Sequence, residues 1–159
     1  MFRIARIVLL CSLALSVWAA SPAGGSAAAK PACQGGSQLK GGVSVHVYCG
    51  QAKATLRLAG RTYRFAPGRC LRTKSAFLVD TGIVTLLKKK PKFRYFGLAV
   101  VATRKGTYRN AVVRWQFPGR DVIVPKITVT LARFLREGTF SGRLPKGGGA
   151  VSGSFRCRT

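Results

Sequence analysis

Residues 138–157 read GTFSGRLPKGGGAVSGSFRC and leave the backbone little choice. Phe140, Gly142 and Leu144 alternate with Thr139, Ser141 and Arg143. Beyond Pro145-Lys146-Gly147-Gly148-Gly149, Val151, Gly153, Phe155 and Cys157 alternate with Ser152, Ser154 and Arg156. A helix would scatter both sets around its circumference. A strand, whose side chains point alternately to opposite faces, keeps each set on one face. Two such runs around a Pro/Gly turn predict an antiparallel hairpin. One face is apolar and ends in a cysteine; the other is hydroxyl and arginine.

The same period recurs upstream. Val43, Val45, Val47 and Cys49 alternate with Ser44, His46 and Tyr48. Ala54, Leu56 and Leu58 precede a turn at 59–61, and Tyr63 and Phe65 follow it, predicting a second hairpin. Residues 76–87 read as two short strands around a turn or as one strand with a bulge at Gly82. Residues 95–102 are nearly continuously apolar, as a strand buried on both faces would be. Residues 88–94 and 103–110 are basic loops. Val113, Trp115 and Phe117 form one inward set, and Ile123, Ile127, Val129 and Leu131 another, with Pro125 demanding an edge position or a bulge. A single helical turn is expected at 132–136. No segment sustains a 3.6-residue period. The expectation is an all-β fold: a single antiparallel β-sandwich or barrel of about eight to nine short strands, stapled by disulfides.

Arg3 and Arg6 precede a short apolar run and a stretch of small residues, the pattern of a secretory signal peptide. The division expected is signal peptide at 1–23, a flexible Gly/Ala/Ser-rich linker at 24–37, and one β-domain at 38–159. Cys11 falls within the leader, with Leu10 before it where a lipid-attachment motif wants a small residue. The other four cysteines, Cys33, Cys49, Cys70 and Cys157, form an even set in an exported chain and read as two disulfides. Three pairings are open. Cys33–Cys49 with Cys70–Cys157 is preferred, the first closing a short loop and the second tying the last strand to an early one. No CxxC spacing and a single histidine argue against zinc.

Charge narrows the partners. The chain has 28 basic and 3 acidic residues and a formal net charge of +25. Such a chain attracts polyanions. For an exported bacterial protein, secreted or held at the cell envelope, the expected partner is an anionic cell-wall polymer or polysaccharide, with nucleic acid unlikely to be physiological. No transmembrane segment is expected in the mature chain, since the leader's apolar run falls short of the roughly 20 residues of a spanning helix. The candidate polyanion-binding residues are Lys88, Lys89, Lys90, Lys92 and Arg94 in one loop and Arg104, Lys105 and Arg109 in another. The outward row Arg57, Arg64, Arg143 and Arg156 is a third candidate surface.

Catalysis is poorly provided for. Asp80, Asp121 and Glu137 are the only carboxylate side chains and His46 the only histidine. No spacing brings them together for acid–base or triad chemistry. Four paired cysteines leave no thiol nucleophile, and Gly147-Gly148-Gly149 lacks the Lys-Ser/Thr of a phosphate loop. The functional expectation is a secreted, non-catalytic binding protein without cofactor or metal. A membrane-active cationic protein is the alternative, and an enzyme of unknown chemistry the weaker one.

Leu56, Leu58, Gly60, Tyr63 and Phe65, leading to Cys70, combine with a terminal G-x-F-S-G … V-x-G-S-F-x-C. This arrangement resembles a group of small exported actinobacterial β-sheet proteins that includes the mycobacterial lipoprotein antigens. The resemblance covers residues 43–159. It implies a β-sheet domain and a Cys70–Cys157 bridge. It carries over no lipid anchor, because no lipobox is present, and it transfers no site.

Overall fold

A computed structural model describes residues 32–86 and 90–158. The leader and most of the linker lie outside these residues, as do Lys88 and Lys89. Eleven strands follow one another: β1 (Gly36–Lys40), β2 (Val43–Val47), β3 (Lys53–Leu58), β4 (Arg61–Phe65), β5 (Gly68–Arg72), β6 (Phe77–Thr85), β7 (Tyr95–Val100), β8 (Gly106–Phe117), β9 (Arg120–Leu131), β10 (Glu137–Arg143) and β11 (Ala150–Arg156). The all-β class holds, with eleven strands rather than eight or nine. The first strand takes in Gly36 and Ser37, so the sheet begins two residues before the expected boundary at 38.

All strand-to-strand ladders are antiparallel, in the order β1-β2-β6-β7-β8-β9-β10-β11-β3-β4, with β5 on β6. This is one sheet, and its hydrogen-bond ladder does not close into a barrel. It rolls over its own inner face instead. Phe65 on β4 meets Phe96 on β7 at 5.6 Å between ring centroids, and Phe77 on β6 meets Phe155 on β11 at 5.6 Å. These strands are not neighbours in the sheet, so their rings touch only because the inner face curls around one core. That core gathers Leu56, Val79, Leu98, Trp115, Ile127 and Phe140. Each fully buried side chain of this size contributes about 1.5–3 kcal/mol.

Two features span the open seam. Gln51, just before β3, makes an isolated parallel bridge to Gly68. Cys70 on β5 is disulfide-bonded to Cys157 beyond β11, with Cα atoms 5.9 Å apart. The second disulfide joins Cys33 to Cys49 and fastens the segment leading into β1. Both pairings are the preferred ones, and they suit an oxidising compartment. Among the described residues no helix is long and apolar enough to cross a membrane.

Local departures have physical causes. Gly82, at φ +85°, lets β6 run on as one strand while changing partners: 77–82 pairs with β7, and 83–85 pairs with β2. Residues 106–110 are not loop but the start of β8. Ile123 points outward, 55% exposed, and Val124 is buried in its place. The reason is a bulge: Ala111 and Val113 on β8 face Ile127 and Val124, so β9 carries an extra residue there. An added residue reverses the facing of everything on one side of it. A second bulge, on β8 between Tyr108 and Ala111, restores the register. The helical turn expected at 132–136 is a short 3-10 turn, Arg133–Leu135, in which Leu135 N–H donates to the Ala132 carbonyl at 3.1 Å; Phe134 and Leu135 take a positive φ, and Leu135 is buried in the core.

A hydroxyl face with a cationic rim

Register builds the site. Thr107 on β8 pairs with Thr130 on β9, Thr130 with Thr139 on β10, Thr139 with Ser154 on β11, and Ser154 with Thr55 on β3. Five strands therefore place a hydroxyl at the same level on the outer face, one every ~4.8 Å. Arg64 on β4 ends the row opposite Thr55. One pleat further along, Thr128, Ser141 and Ser152 form a parallel row that ends at Arg57. In the other direction the row is Glu137, Arg156 and Lys53. The cause is the alternation of the closing hairpin, repeated in β9 and β3 by T-x-T (128–130) and T-x-R (55–57).

This surface is a groove. A hollow of about 520 Å³ is bordered by Lys53, Thr55, Thr130, Thr139, Ser154 and Arg156. A second, of about 350 Å³, adjoins it and shares Thr55, Thr130, Thr139 and Ser154 while adding Arg57. At one end lies a small cavity of about 80 Å³ lined by Gln51, Lys53, Arg156 and Arg158. Backbone at Gly138 and Gly153 lines the groove. A Cβ at Gly153 would collide with the Thr55 carbonyl oxygen and the Phe140 ring, and one at Gly138 with the Phe155 ring and the Thr130 oxygen. The pairs are reciprocal: Gly138 faces Phe155 across the ladder, and Gly153 faces Phe140. Glycine here lets each ring lie flat on the neighbouring backbone, closing the core directly beneath the groove.

The hydroxyls divide into two groups. Thr55 Oγ1 lies 2.8 Å from Ser154 Oγ, and Thr107 Oγ1 lies 3.0 Å from Thr130 Oγ1. The side-chain hydroxyls of Thr128, Thr139, Ser141 and Ser152 bond to no described protein group. Of the cations, Arg156 reaches Glu137 at 3.4 Å, an exposed pair of small energetic weight. Lys53, Arg57, Arg64 and Arg143 are exposed and make no ion pair among the described residues, although Glu137 borders the same hollow as Lys53.

The basic loops are placed differently. Their described residues flank opposite ends of β7, about 20 Å apart along the strand. Lys92 Nζ donates to the Gly41 carbonyl at 3.2 Å. Arg94 sits over Phe117, Phe65 and Tyr63, at 5.5, 5.9 and 6.0 Å from their ring centroids. Lys90, Arg104, Lys105 and Arg109 are exposed. The row Arg57, Arg64, Arg143 and Arg156 shares one face with the groove. Sequence reasoning missed the Thr/Ser ladder beside it, although the T-x-T and T-x-S spacings carried its signal.

A separate cluster lies on β2, β6, β7 and β8. Tyr95 folds back over Gly97 and donates to Asp80 Oδ1 at 2.7 Å. Burial, reinforced by the Asp80 carboxylate, pushes its phenol far above the ordinary range. Tyr48 stacks on Tyr95 at 5.7 Å, and burial raises its phenol as well. Asp121 accepts two hydrogen bonds from Arg114, at 2.7 and 3.1 Å, and one from Gln116 at 2.9 Å. The hydrogen bond from Arg114 holds this carboxyl below its usual value. His46 Nδ1 lies 3.1 Å from Ser37 Oγ, and its ring is separated from Asp80 by Tyr48 and Tyr95.

Fold and face define the class: a small, disulfide-stapled all-β protein with a cation-rimmed hydroxyl groove. No protein-family model, no curated protein and no solved structure matches this chain.

Proposed function

We propose that this chain is a secreted, non-catalytic binding protein of the bacterial cell envelope that holds anionic polymers on its basic outer surface. The observation that carries the reading is excess positive charge at a concave surface: Lys53, Arg57 and Arg156 border the two hollows against one carboxylate, Glu137, which pairs with Arg156 and leaves Lys53 and Arg57 without an ion pair among the described residues. Cations left unpaired beside a concavity raise the local concentration of anions. The leader-like N-terminus and the two disulfides support export. The non-catalytic part is supported by the engagement of the acid–base groups, Asp80 by Tyr95, Asp121 by Arg114, and His46 by Ser37.

Retention on teichoic-acid-bearing wall fragments tests the proposal. Binding should be complete at low ionic strength and lost by about 0.5 M salt, where screening shortens electrostatic reach to a few ångströms. Failure to bind at low salt, or binding indifferent to salt, contradicts it. Leakage of anionic vesicles at the same protein concentration would favour a membrane-active protein instead.

A further inference from the structure

We infer that the groove is a subsite for an acidic polysaccharide rather than for polyanions in general. The inference rests on the polyanion-binding reading above and names the ligand for one part of that surface.

A ligand that offers nothing but charge needs nothing but cations. The centre of this groove holds none. It holds the Thr130, Thr139, Ser154 and Thr55 row and the Thr128, Ser141 and Ser152 row, and the cations stand at the ends. Each hydroxyl donates one hydrogen bond and accepts others, which is the capacity of a sugar hydroxyl. Four of them, on Thr128, Thr139, Ser141 and Ser152, have no protein partner to release before meeting a ligand. Ala132, half-buried at the edge of the same groove, offers apolar surface to the C–H side of a sugar ring.

The ends are built for acid groups. Lys53, Arg156 and Arg158, with Gln51, line a small cavity at one end, where Glu137 engages Arg156 and leaves Lys53 and Arg158 for an acid group. Arg57 stands four residues from Lys53 on β3, about 13 Å away along the strand. The order along the groove is therefore cation, hydroxyls, cation. It matches a polymer whose acid groups are carried on hydroxylated sugar units. A polyphosphate, with no hydroxyl or ring C–H at any unit, would set phosphates over threonines and gain only from the ends.

Calorimetric titration with two probes, polygalacturonate and inorganic polyphosphate, tests this at about 0.15 M salt, where exposed charges are already well screened. The variants are Thr139→Val/Ser141→Ala and Arg57→Gln. The wild-type protein should bind polygalacturonate more tightly per acid group than polyphosphate. Thr139→Val/Ser141→Ala should weaken polygalacturonate binding about tenfold, the loss of two hydrogen bonds, and leave polyphosphate unchanged. Arg57→Gln should weaken both. Valine suits an exposed strand position, and retained polyphosphate binding reports that the double variant is folded. If the double variant binds polygalacturonate as the wild type does, or loses both probes equally while its circular dichroism is unchanged, the glycan subsite is refuted and polyanion binding stands. If the wild type binds neither probe even at low salt, the functional reading falls with it.

Discussion

Gly153 owes its identity to what surrounds it. No positive φ requires glycine there; a Cβ would strike the Thr55 carbonyl and the Phe140 ring. Gly153→Ala is expected to cost about 1–3 kcal/mol, as overpacking does, and urea denaturation would measure it. The cost should far exceed that of Gly149→Ala, which meets open space. Alternation marked Gly153 as inward but not as the seat of a ring, because the facing Phe140 is assigned only once the hairpin register is known. Charged residues give a pH signature. Arg114 depresses the Asp121 carboxyl, so this pair's stabilisation is present above the unfolded value near 3.9 and is lost as pH falls through the lower folded value. Tyr95 and Tyr48 have the opposite sign in pH: their folded phenols are raised, so their contribution is complete below about pH 10 and fades as the unfolded phenols ionise. Thermal melts against pH should show a shallow acid limb to which the Arg114–Asp121 pair contributes, and Arg114→Gln should flatten it. An acid limb unchanged in Arg114→Gln would remove the pair from the account.

At the scale of elements, the bulges decide which side chains reach the core. Lys126, within the β9 bulge, has φ +57°, a conformation that costs a non-glycine residue roughly 1–2 kcal/mol. Lys126→Gly should therefore leave the melting midpoint unchanged or higher, and Lys126→Val should lower it. Equal midpoints for the two would argue against the strained position. Pro125 announced an irregularity in the sequence, but whether Ile123 or Val124 turned inward depended on which strand held the extra residue, and that is a property of the pairing. The irregularity at Gly82 was legible because aspartate, threonine and glycine interrupt an apolar run, but whether one strand or two resulted was left open. The helical turn at 133–135 was legible too, but not its backbone, since Phe134 and Leu135 adopt a positive φ that residues of their kind rarely hold. The two disulfides should differ in weight. Cys70–Cys157 closes 87 positions and Cys33–Cys49 closes 16, so the chain-entropy model assigns about 4–5 and about 3 kcal/mol. Replacing Cys70 and Cys157 by serine should lower the denaturation midpoint more than replacing Cys33 and Cys49. The reverse order would indicate that β1 and β2 are held mainly by their bridge and support the rest of the sheet.

At the scale of the molecule, function follows from which strands lie side by side. The outward arginines were legible from period two alone. The groove was not, because β11 pairs with β3 across about a hundred residues, and only that pairing joins T-x-R (55–57) to S-x-S (152–154). The basic loops caught attention as runs of charge, yet β7 separates them, and Lys92 and Arg94 are occupied by a carbonyl and by aromatic rings. Position in the sheet, more than density of charge, selects the binding face. Amide chemical-shift mapping by NMR during titration with an anionic wall polymer tests that claim most directly. Perturbations are expected to concentrate on 53–57, 128–130, 139–141 and 152–158. Perturbations confined to 90–94 and 104–109, or spread evenly over every exposed lysine and arginine, would contradict it.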